Sequence, residues 1–426
     1  MKIVIIGGGT AGTTTAFEIR KHDKDAEVVV IEKTSNTQCS PCSMPYYVEG
    51  KIQDKKDLIV FSEQDYRKAG IDLLLETEVE SIDHHRKTLQ ILTAKNDKRQ
   101  LSYDALVLAT GASPIIPPID GLDKVNSICF KTLDDAVKLK QGLQEYSKIS
   151  ILGAGFIGVE VAWALKDNNV SLIEAQEHIL PGAFDNITAK TIQSYLENNG
   201  VVVETGKNIS DASKIVQGKD EMVILSCGVK PNINVAEKAG AKVNKGILVN
   251  SLLETSLPSV YACGDCCEFT DKSDFAMSQL GTSAVKQAGI LVNNILNEEK
   301  QSFQTNNSIV SMTGELVFGA TGLSREKAGR EVVTSFYKGS TKSRHFPGAK
   351  DVRVWLVADS NGKLLGGQVV GYEGVVGRVN LVSLAVQKDL NLKDLAVMDA
   401  CYNPSVSPIF EPVAMAAEMG LRKIRK

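Results

Sequence analysis

The chain has 426 residues, of which 43% are hydrophobic and 23% are charged, and its formal net charge is -3. This length exceeds what one compact core holds, so two or three domains are expected. The charge and the scattered basic residues argue against a nucleic-acid partner, and no apolar run is long enough to suggest a membrane. Eight Cys in so long a chain do not form a disulfide scaffold, and a strand follows Met1 where a signal peptide would lie. We therefore expect a cytoplasmic protein.

A glycine-rich turn between two strands is the first stretch with a chemical signature. A buried strand at residues 3–6 leads into Gly7-Gly8-Gly9-Thr10-Ala11-Gly12, which matches GxGxxG, and a helical pattern follows. A second strand, at residues 28–31, ends on Glu32. Such glycines permit a tight turn, the helix N-terminus takes a pyrophosphate, and the acid accepts a ribose hydroxyl. The pattern predicts a dinucleotide site, and a glycine-rich turn without a ligand is the alternative.

Two cysteines follow this unit in Cys39-Ser40-Pro41-Cys42-Ser43-Met44-Pro45-Tyr46-Tyr47. Their spacing is typical of a helix N-terminus, where backbone N–H groups and the helix dipole favour the thiolate over the thiol. Because the thiolate is the nucleophilic form, sulfur chemistry is one interpretation of this stretch. Two packed, unreactive cysteines in a loop are the alternative.

The next segments are expected to complete the first domain and lead out of it. Residues 77–82, which include Val79, are strand-like, and a buried strand ends in Ala109-Thr110-Gly111. Residues 115–121 contain two adjacent prolines and indicate a crossover to the next domain. Residues 132–135 match a variant capping box, so a helix is expected to begin there.

A second glycine-rich turn between two strands follows later in the chain. A strand at residues 149–152 leads into Gly153-Ala154-Gly155-Phe156-Ile157-Gly158, with Glu160 inside the following helix, and a strand at residues 170–173 ends on Glu174. Two dinucleotide sites in one chain suggest an enzyme that passes electrons between two dinucleotides. A carboxylate at Glu174 pairs with a free 2′-hydroxyl and repels a 2′-phosphate, which favours NADH over NADPH.

The following region contains short strands, a turn that begins at Gly228, and a cysteine-rich segment. The strands are predicted at residues 201–204, 222–225, 247–249 and 260–262. Asp265 follows Gly264 at the end of the last strand, where it is well placed to accept a hydrogen bond from a polyol hydroxyl. Cys263, Cys266 and Cys267 suggest a metal site, but no fourth soft ligand is near and His is scarce. Buried small residues are the preferred interpretation, and no metal is expected.

The character of the chain changes after a predicted helix at residues 279–296 and a polar linker at residues 297–307. Strands are predicted at residues 309–312, 352–357 and 364–371, and helices at residues 381–386, 390–397 and 413–421. No third glycine-rich turn occurs, so this part is expected to be an α+β domain. Its loop Cys401-Tyr402-Asn403-Pro404-Ser405-Val406-Ser407-Pro408 is expected to be rigid and extended.

These features together resemble the FAD-dependent pyridine nucleotide-disulfide oxidoreductases over nearly the whole chain. The likeness is carried by both GxGxxG units, Ala109-Thr110-Gly111, Ala262-Cys263-Gly264-Asp265 and the third domain. Within that family, Cys42-Ser43-Met44-Pro45-Tyr46 is similar to the single-cysteine branch. That branch includes coenzyme A-disulfide reductases, NADH-dependent persulfide or sulfur reductases, and NADH oxidases and peroxidases.

The resemblance implies an α/β fold with two Rossmann-like dinucleotide-binding domains and an α+β C-terminal dimerisation domain. We expect residues 1–114 and 248–307 to form a discontinuous FAD-binding domain. Residues 115–247 are expected to form the NAD(P)H-binding domain, and residues 308–426 the dimerisation domain of a homodimer.

The resemblance also implies roles for individual residues, with Glu32 at the adenosine ribose of FAD, Asp265 at its ribitol and Cys42 against the flavin. The other residues expected to bind FAD are Gly7, Gly9, Thr10, Ala11, Gly12, Lys33, Val79, Ala109, Thr110, Gly111 and Gly264. Those expected to bind NAD(P)H are Gly153, Gly155, Phe156, Ile157, Gly158, Glu160, Glu174 and Gly228. In coenzyme A-disulfide reductases a tyrosine from the partner subunit's C-terminal loop assists the cysteine, and Tyr402 is similar to it.

Two residues bear on the choice of reaction. Peroxidases and many water-forming oxidases of this branch carry His in the first glycine-rich loop, where this chain has Thr10, which argues against peroxide chemistry. Cys39 makes a CxxC with Cys42 that the single-cysteine pattern does not need. It is interpreted either as a resolving thiol that closes a transient disulfide or as a bystander.

The resulting hypothesis is an FAD-dependent, NADH-using enzyme that reduces a small disulfide, persulfide or polysulfide at Cys42. Tyr402 would protonate the leaving thiolate. Coenzyme A, as substrate or bound thiol, would need cations for its phosphates, and the candidates are Arg20, Lys21, Arg67 and Lys68. One alternative is an NADH oxidase that uses oxygen and cycles Cys42 through sulfenic acid. Another is a flavin-binding redox sensor.

Overall fold

The computed structural model describes residues 1–270, 274–329 and 331–425, which fall into two compact units. The first unit comprises Met1–Ile115, Lys131–Val137 and Val229–Thr305. The second comprises Ile116–Phe130, Lys138–Gly228 and the described chain from Asn306 onward.

The regular elements are strands and α-helices, numbered separately in chain order. The strands are β1 (Lys2–Ile6), β2 (Glu27–Ile31), β3 (Ile71–Leu74), β4 (Thr77–Asp83), β5 (Thr88–Thr93), β6 (Lys98–Ser102), β7 (Ala105–Leu108), β8 (Ala112–Pro114), β9 (Asn126–Cys129), β10 (Lys148–Leu152), β11 (Val170–Ile173), β12 (Val202–Glu204), β13 (Glu221–Leu225), β14 (Val229–Pro231), β15 (Ile247–Val249), β16 (Val260–Ala262), β17 (Cys267–Phe269), β18 (Ile309–Thr313), β19 (Leu316–Gly322), β20 (Val332–Ser340), β21 (Asp351–Asp359) and β22 (Leu364–Gly371). The α-helices are α1 (Thr10–His22), α2 (Met44–Glu49), α3 (Glu63–Ala69), α4 (Leu133–Gly142), α5 (Phe156–Ala164), α6 (Asn186–Glu197), α7 (Asn234–Lys238), α8 (Gly281–Leu296), α9 (Arg325–Ala328), α10 (Val375–Gln387), α11 (Leu392–Ala396) and α12 (Pro412–Ile424).

A parallel five-stranded sheet in the order β16-β7-β1-β2-β3 organises the first unit. Its central strands are continuous hydrophobic runs because parallel sheets are covered on both faces. Since the strands run parallel, the residues that follow them lie together at the carboxyl edge, where α/β sheets bind ligands. Those residues are Gly7, Glu32, Ala109 and Cys263.

Smaller sheets accompany this one in the first unit. They are the antiparallel sheet β4-β5-β6 and the pairs β14-β8 and β15-β17. Residues 229–247, which we expected in the second dinucleotide domain, belong to the first unit because β14 pairs with β8 and Ala236 and Ala239 lie in the first core. The division into three domains with separate functions stays a prediction.

The second unit contains two sheets. One is a parallel five-stranded sheet, like the main sheet of the first unit, and its strand order is β12-β11-β10-β13-β9. The other is antiparallel, in the order β18-β19-β22-β21-β20, and the buried residues of α10, α11 and α12 share a core with its inner face. An α/β fold with parallel sheets is therefore confirmed.

Several local predictions are also confirmed. At the start of α4, the Thr132 backbone N–H donates to the Asp135 carboxylate at 2.7 Å and the Asp135 N–H donates to Thr132 Oγ1 at 3.2 Å, which completes the capping box. The helix predicted at residues 381–386 is longer than expected, because α10 begins at Val375, directly after Gly374 with φ +70°. Among the described helices, none combines the length and hydrophobicity that a bilayer-spanning segment needs.

Candidate active site

The first glycine-rich turn is shaped by contacts that exclude side chains at two of its glycines. A Cβ on Gly7, which has φ +109°, would lie 2.1 Å from the Ala109 carbonyl oxygen, and a Cβ on Gly12 would lie 1.9 Å from the Gly7 oxygen. Around Gly9, in contrast, no described atom beyond its chain neighbours lies within 4 Å of the Cβ position. The turn is thus closely packed at its ends and open in the middle, which fits a dinucleotide phosphate beside Gly9.

The Glu32 carboxylate lies directly beside this turn. Its Oε2 accepts a hydrogen bond from the Gly8 N–H at 2.7 Å, and its Oε1 accepts from the N–H and Oγ1 of Thr34, both at 2.8 Å. An ionised carboxylate has about four lone-pair sites, so one remains for a ribose hydroxyl. Nearby, Lys33 Nζ forms an ion pair with Glu78 Oε1 at 2.8 Å, one residue before Val79 in β4.

The turn Ala109-Thr110-Gly111 is held by Asn232, which the sequence analysis did not identify. Thr110 Oγ1 donates to the Asn232 carbonyl at 2.6 Å, and Asn232 Nδ2 donates to the Thr110 carbonyl at 2.8 Å. The Asn232 N–H also donates to the Gly111 carbonyl at 2.9 Å. Asn232 therefore fixes the path of the chain where the Ala109 oxygen meets Gly7.

Gly264 and Asp265 lie against the start of α1. A Cβ on Gly264, which has φ +85°, would lie 2.8 Å from the Ala11 Cβ, so a larger residue would collide with that helix. The Asp265 carboxylate lies 4.0 Å from Lys131 Nζ. Burial raises the pKa of Asp265, and the positive charge of Lys131 opposes the rise. Asp265, predicted at the ribitol, therefore directly follows a residue that packs on Ala11.

The cysteine loop lies beside the same turn. Residues 38–40 are tied to residues 58–60 by hydrogen bonds from Ser40 N–H to the Leu58 carbonyl and from Val60 N–H to the Gln38 carbonyl. Gln38 Nε2 also donates to Thr10 Oγ1, at 3.4 Å. A 3₁₀ turn at Pro41–Ser43 then leads into α2, so Cys42 lies at the helical entry that its spacing predicts.

The two cysteines of this loop differ in exposure. Cys42 is exposed, whereas Cys39 is half-buried. Burial raises the pKa of the Cys39 thiol, Asp134 and Glu32 add to the rise, and Lys131 opposes it. A thiol with a raised pKa is a poor nucleophile at neutral pH, so Cys42 is the better placed of the two to react.

The second glycine-rich turn repeats the geometry of the first. A Cβ on Gly153, which has φ +95°, would lie 2.5 Å from the Ser226 carbonyl oxygen, and a Cβ on Gly158 would lie 2.0 Å from the Gly153 oxygen. The Cβ position of Gly155 is open to 4 Å among the described atoms beyond its chain neighbours. Glu174 is buried, and its carboxylate accepts from the Ala154 N–H at 2.7 Å and from the Gln176 N–H at 2.9 Å.

The remaining residues predicted at this second site occupy different surroundings. Phe156 stacks on Phe318 with 6.4 Å between ring centroids, while Ile157 is exposed. Glu160 accepts a hydrogen bond from Ser311 Oγ at 2.5 Å. Burial raises the pKa of Glu160, and the Ser311 bond partly offsets this. Gly228, with φ +94°, follows Cys227 at the end of the strand opposite Gly153.

Tyr402, predicted to be catalytic, belongs to the second unit, whereas Cys42 belongs to the first. Its side chain is 49% exposed, and its hydroxyl lies 3.4 Å from Ser343 Oγ. Joint action of Tyr402 with Cys42 stays a prediction.

Cys263, Cys266 and Cys267 are buried. The Cys266 thiol donates to the carbonyls of Leu108 and Cys263, and burial raises the pKa of Cys263 to about 12. Across the described residues, no group of three or more His, Cys, Asp or Glu is arranged to hold a metal ion. The hydrogen bonds and burial of the three cysteines agree with the interpretation that they are packed core residues.

Residues missed by the sequence analysis are Gln38, Lys131 and Asn232. Asn232 follows a segment that was predicted to be a turn but contains the strand β14, and its partner at Thr110 is 122 residues away. Lys131 precedes the capping box that was recognised, yet its nearness to Asp265 depends on the tertiary fold. Local patterns therefore carried no signal for these contacts.

Comparison with known proteins agrees with these features. A family model described as pyridine nucleotide-disulphide oxidoreductase matches residues 1–288. The chain is 38% identical to an NADH oxidase of Methanocaldococcus jannaschii, over 100% of this chain and 99% of that one. It is 29% identical to an NAD(P)H coenzyme A polysulfide/persulfide reductase of Pyrococcus horikoshii, over 98% of both chains. Its fold is similar to an NAD-dependent persulfide reductase from A. fulgidus, with a TM-score of 0.94, 30% identity, and coverage of 99% of this chain and 83% of that one.

Proposed function

Because the chain belongs to the pyridine nucleotide-disulphide oxidoreductase family, we propose that it reduces a small disulfide, persulfide or polysulfide at Cys42, with NADH as reductant and FAD as cofactor. The observation that carries this proposal is the exposed Cys42 thiol, in a loop tied through Gln38 to Thr10 of the first glycine-rich turn. Relatives named as persulfide or polysulfide reductases support the sulfur substrate class.

Members of this family use FAD with NAD(P)H, and FAD supplies two-electron chemistry between a nicotinamide and an acceptor. In this chain the first turn would hold FAD, with Glu32 binding the ribose and Asp265 the ribitol. The second turn would hold NADH, with Glu174 binding the adenosine ribose. A buried carboxylate at Glu174 favours the free 2′-hydroxyl of NADH over the 2′-phosphate of NADPH.

Cys42 would act as the nucleophile. Its thiolate attacks one sulfur of the substrate R–S–S–R, so that a Cys42–S–S–R bond forms, the substrate S–S bond breaks, and one thiolate leaves. Tyr402 would donate the proton to that thiolate. Release of the second thiol from Cys42 requires two electrons and one further proton, so that two electrons and two protons are consumed for each disulfide.

Cations for a coenzyme A substrate are available on the first unit. Arg20 is already engaged, since its guanidinium donates to the carbonyls of Ala69 and Ala26 at 2.9 and 2.8 Å. Arg67 and Lys68 are exposed on the last turn of α3, which makes them the better candidates for the phosphates of coenzyme A.

The test is anaerobic steady-state kinetics with NADH against coenzyme A disulfide, glutathione disulfide, polysulfide and sulfur. Cys42→Ser should lower turnover of the preferred acceptor by at least about 100-fold, because the covalent step is lost. Gln90→Ala, which changes an exposed side chain on β5, is the control and should retain turnover. Flavin absorbance of each variant establishes that the cofactor is bound. The proposal fails if Cys42→Ser reduces these acceptors as fast as the parent.

An NADH oxidase that uses oxygen is the second candidate function, favoured by the 38% identity to a protein of that name. Oxygen consumption at the same NADH concentration separates the two. If no sulfur acceptor is reduced faster than oxygen, the oxidase assignment replaces the reductase.

We also propose a homodimer formed through the C-terminal part of the chain. The segment 397–410 exposes large apolar side chains, which include Val397, Val406, Ile409 and Phe410 at 76%, 74%, 66% and 62%. Clustered exposed apolar residues are typical of a protein interface. Sedimentation equilibrium should give twice the chain mass, and Phe410→Asp should shift the equilibrium toward the monomer.

A further inference from the structure

Two cysteines outside the proposed reaction pack against one core cluster, which also contains Leu152 directly before the second glycine-rich turn. Cys129 is the last residue of β9, and its strand partner is Leu225, the last residue of β13. Cys227 follows Leu225 by two positions, just beyond the end of β13. Both cysteines pack against the same core cluster, which contains Leu225 and Ile173. Both are half-buried thiols.

Cys227 also forms part of the wall of the glycine-rich turn. The Cβ position of Gly153 lies 3.0 Å from the Cys227 backbone nitrogen, and the Cys227 thiol donates to the Leu152 carbonyl at 3.4 Å. Burial raises the pKa of Cys227, and the charges of Glu174 and Cys129 add to the rise. Cys227 is therefore near both the second thiol and the acid proposed to bind the ribose.

We propose that Cys129 and Cys227 form a redox-sensitive pair whose oxidation to a disulfide weakens NADH binding at the second glycine-rich turn. The inference rests on the proposed function for the identity of the nucleotide and for the oxidant, which is a small disulfide of the class reduced at Cys42.

The chemistry balances as two thiol-disulfide exchanges. One cysteine thiolate attacks R–S–S–R, forms a mixed disulfide and releases one R–S⁻. The other cysteine attacks the mixed disulfide, forms the Cys129–Cys227 bond and releases the second R–S⁻. The two electrons lost by the two cysteines reside on the two released thiols, which also take up the two protons.

Closure of this disulfide would change the turn. The Cys227 thiol is bonded to the Leu152 carbonyl of β10, whereas β9 lies on the other side of β13. A disulfide spans no more than about 7 Å between Cα atoms, so this bond has to break when the disulfide closes. Residues 226–227 would therefore have to move toward β9. Because the Ser226 oxygen and the Cys227 nitrogen pack on Gly153, that movement would alter the path of the chain that is proposed to receive the pyrophosphate.

The first experiment detects the bond without turnover. Full-length holoenzyme carrying Cys42→Ser is incubated anaerobically with glutathione disulfide, and peptides are mapped after the remaining thiols are alkylated. We expect a peptide linked through Cys129 and Cys227, with the loss of two hydrogen atoms, and slower formation at saturating NAD⁺. Cys129→Ser and Cys227→Ser should each abolish the link, and Cys401→Ser should retain it.

The second experiment measures the consequence. NAD⁺ affinity is determined by equilibrium titration for the reduced protein, the oxidised protein, and the oxidised protein treated with dithiothreitol. We expect roughly tenfold weaker binding after oxidation, about 1.4 kcal/mol, with full recovery on reduction and no change in flavin absorbance. The Cys129→Ser protein should keep its affinity throughout.

Absence of the linked peptide, or a linked protein with unchanged NAD⁺ affinity, would overturn the inference. Neither result depends on Cys42, which is absent from the test protein. Failure of disulfide reduction at Cys42 would instead appear in the turnover measurements, so the two proposals fail separately.

Discussion

The two glycine-rich turns of this chain have the same backbone arrangement. In each, the first glycine packs on a carbonyl at the end of a neighbouring strand, from Ala109 in the first unit and Ser226 in the second. In each, the third glycine packs on the first, and a carboxylate accepts an N–H from the turn. What is repeated is therefore the close packing that leaves the middle glycine open.

The turns differ at the next residue of the opposing strand. In the first unit this residue is Thr110, whose hydroxyl donates to Asn232 and fixes the strand end. In the second unit it is Cys227, whose thiol makes a longer contact with the Leu152 carbonyl and lies near a second cysteine. The strand end beside the first turn is held by neutral hydrogen bonds, whereas the one beside the second carries a thiol that can be oxidised.

The largest expected effect comes from adding one methyl group to a third glycine. Gly12→Ala and Gly158→Ala each place a Cβ about 2 Å from a carbonyl oxygen, which should cost about 3 kcal/mol or more. We expect Gly12→Ala to lose flavin absorbance and Gly158→Ala to lose NADH binding, each with a lower thermal midpoint.

The matched controls are the middle glycines, where the Cβ position is open. Gly9→Ala and Gly155→Ala should keep the thermal midpoint of the cofactor-free protein while weakening binding of the corresponding nucleotide. Equal destabilisation by all four variants would contradict the distinction between packed and open glycines.

The sequence predicted these turns because their signal is local. Gly, buried strand and terminal acid occur within about 30 residues, the length of a βαβ unit. The helix α6 was missed although Ala189, Ile192 and Leu196 form an apolar stripe at helical spacing. The strand β20 was missed because its burial does not alternate regularly. Because β20 lacks a regular alternation, tertiary packing decides its conformation.

The residues of the candidate site also divide into those that have a local sequence signal and those that do not. Glycines and acids that follow strands were identified from their positions in the motif, and the structure places Glu32 and Glu174 at their turns. Asn232 and Lys131 act across long sequence separations on Thr110 and Asp265, which a single sequence does not reveal. Pairing of Cys129 with Cys227 likewise depends on strands β9 and β13 being neighbours.

The acid of the second turn, Glu174, should determine the preference for NADH over NADPH. Glu174→Ala should weaken NADH binding by roughly 10- to 100-fold, because hydrogen bonds to charged groups contribute about 1.5–3 kcal/mol. It should also improve NADPH relative to NADH, since repulsion of the 2′-phosphate is removed. The ratio of kcat/KM for the two reductants measures this, with the exposed Glu177→Ala as control. An unchanged ratio would disprove the role of Glu174.

The hydrogen bonds that Asn232 makes beside the first turn should contribute measurably to the free energy of unfolding. Asn232→Ala removes side-chain bonds to the Thr110 carbonyl and Ser113 hydroxyl, which should lower stability by about 2 kcal/mol. Differential scanning calorimetry of the holoenzyme checks this. Ser113→Ala, which loses the exposed bond alone, should change the thermal midpoint much less.

The smallest expected effect is a pH dependence at Glu160. Burial raises its pKa in the folded chain above the usual 4.5, so the folded state keeps a proton that the unfolded state releases. Stability from this group is present below pH 4.5 and is lost as pH rises through the folded pKa, by at most about 1.4 kcal/mol for each pKa unit.

Thermal midpoints of the parent and of Glu160→Gln, measured across this pH range, test the direction in which stability changes with pH. The parent should lose stability relative to the variant as pH rises. Ser311→Ala should enlarge the loss, because the Ser311 hydrogen bond lowers the pKa. A parent that gains stability relative to Glu160→Gln would show that the carboxylate is the favoured form.

The hydrogen bonds of Glu32 and Glu174 to backbone amides bear on the proposed binding of the two nucleotides. Each side chain gives up its rotational freedom when the polypeptide folds, so this ordering does not have to be repeated at the moment of association. In the proposed binding mode, an incoming ribose would meet an acceptor that is already oriented and partly desolvated. If Glu32 and Glu174 bind the riboses as proposed, the selectivity of both turns is set before any ligand arrives.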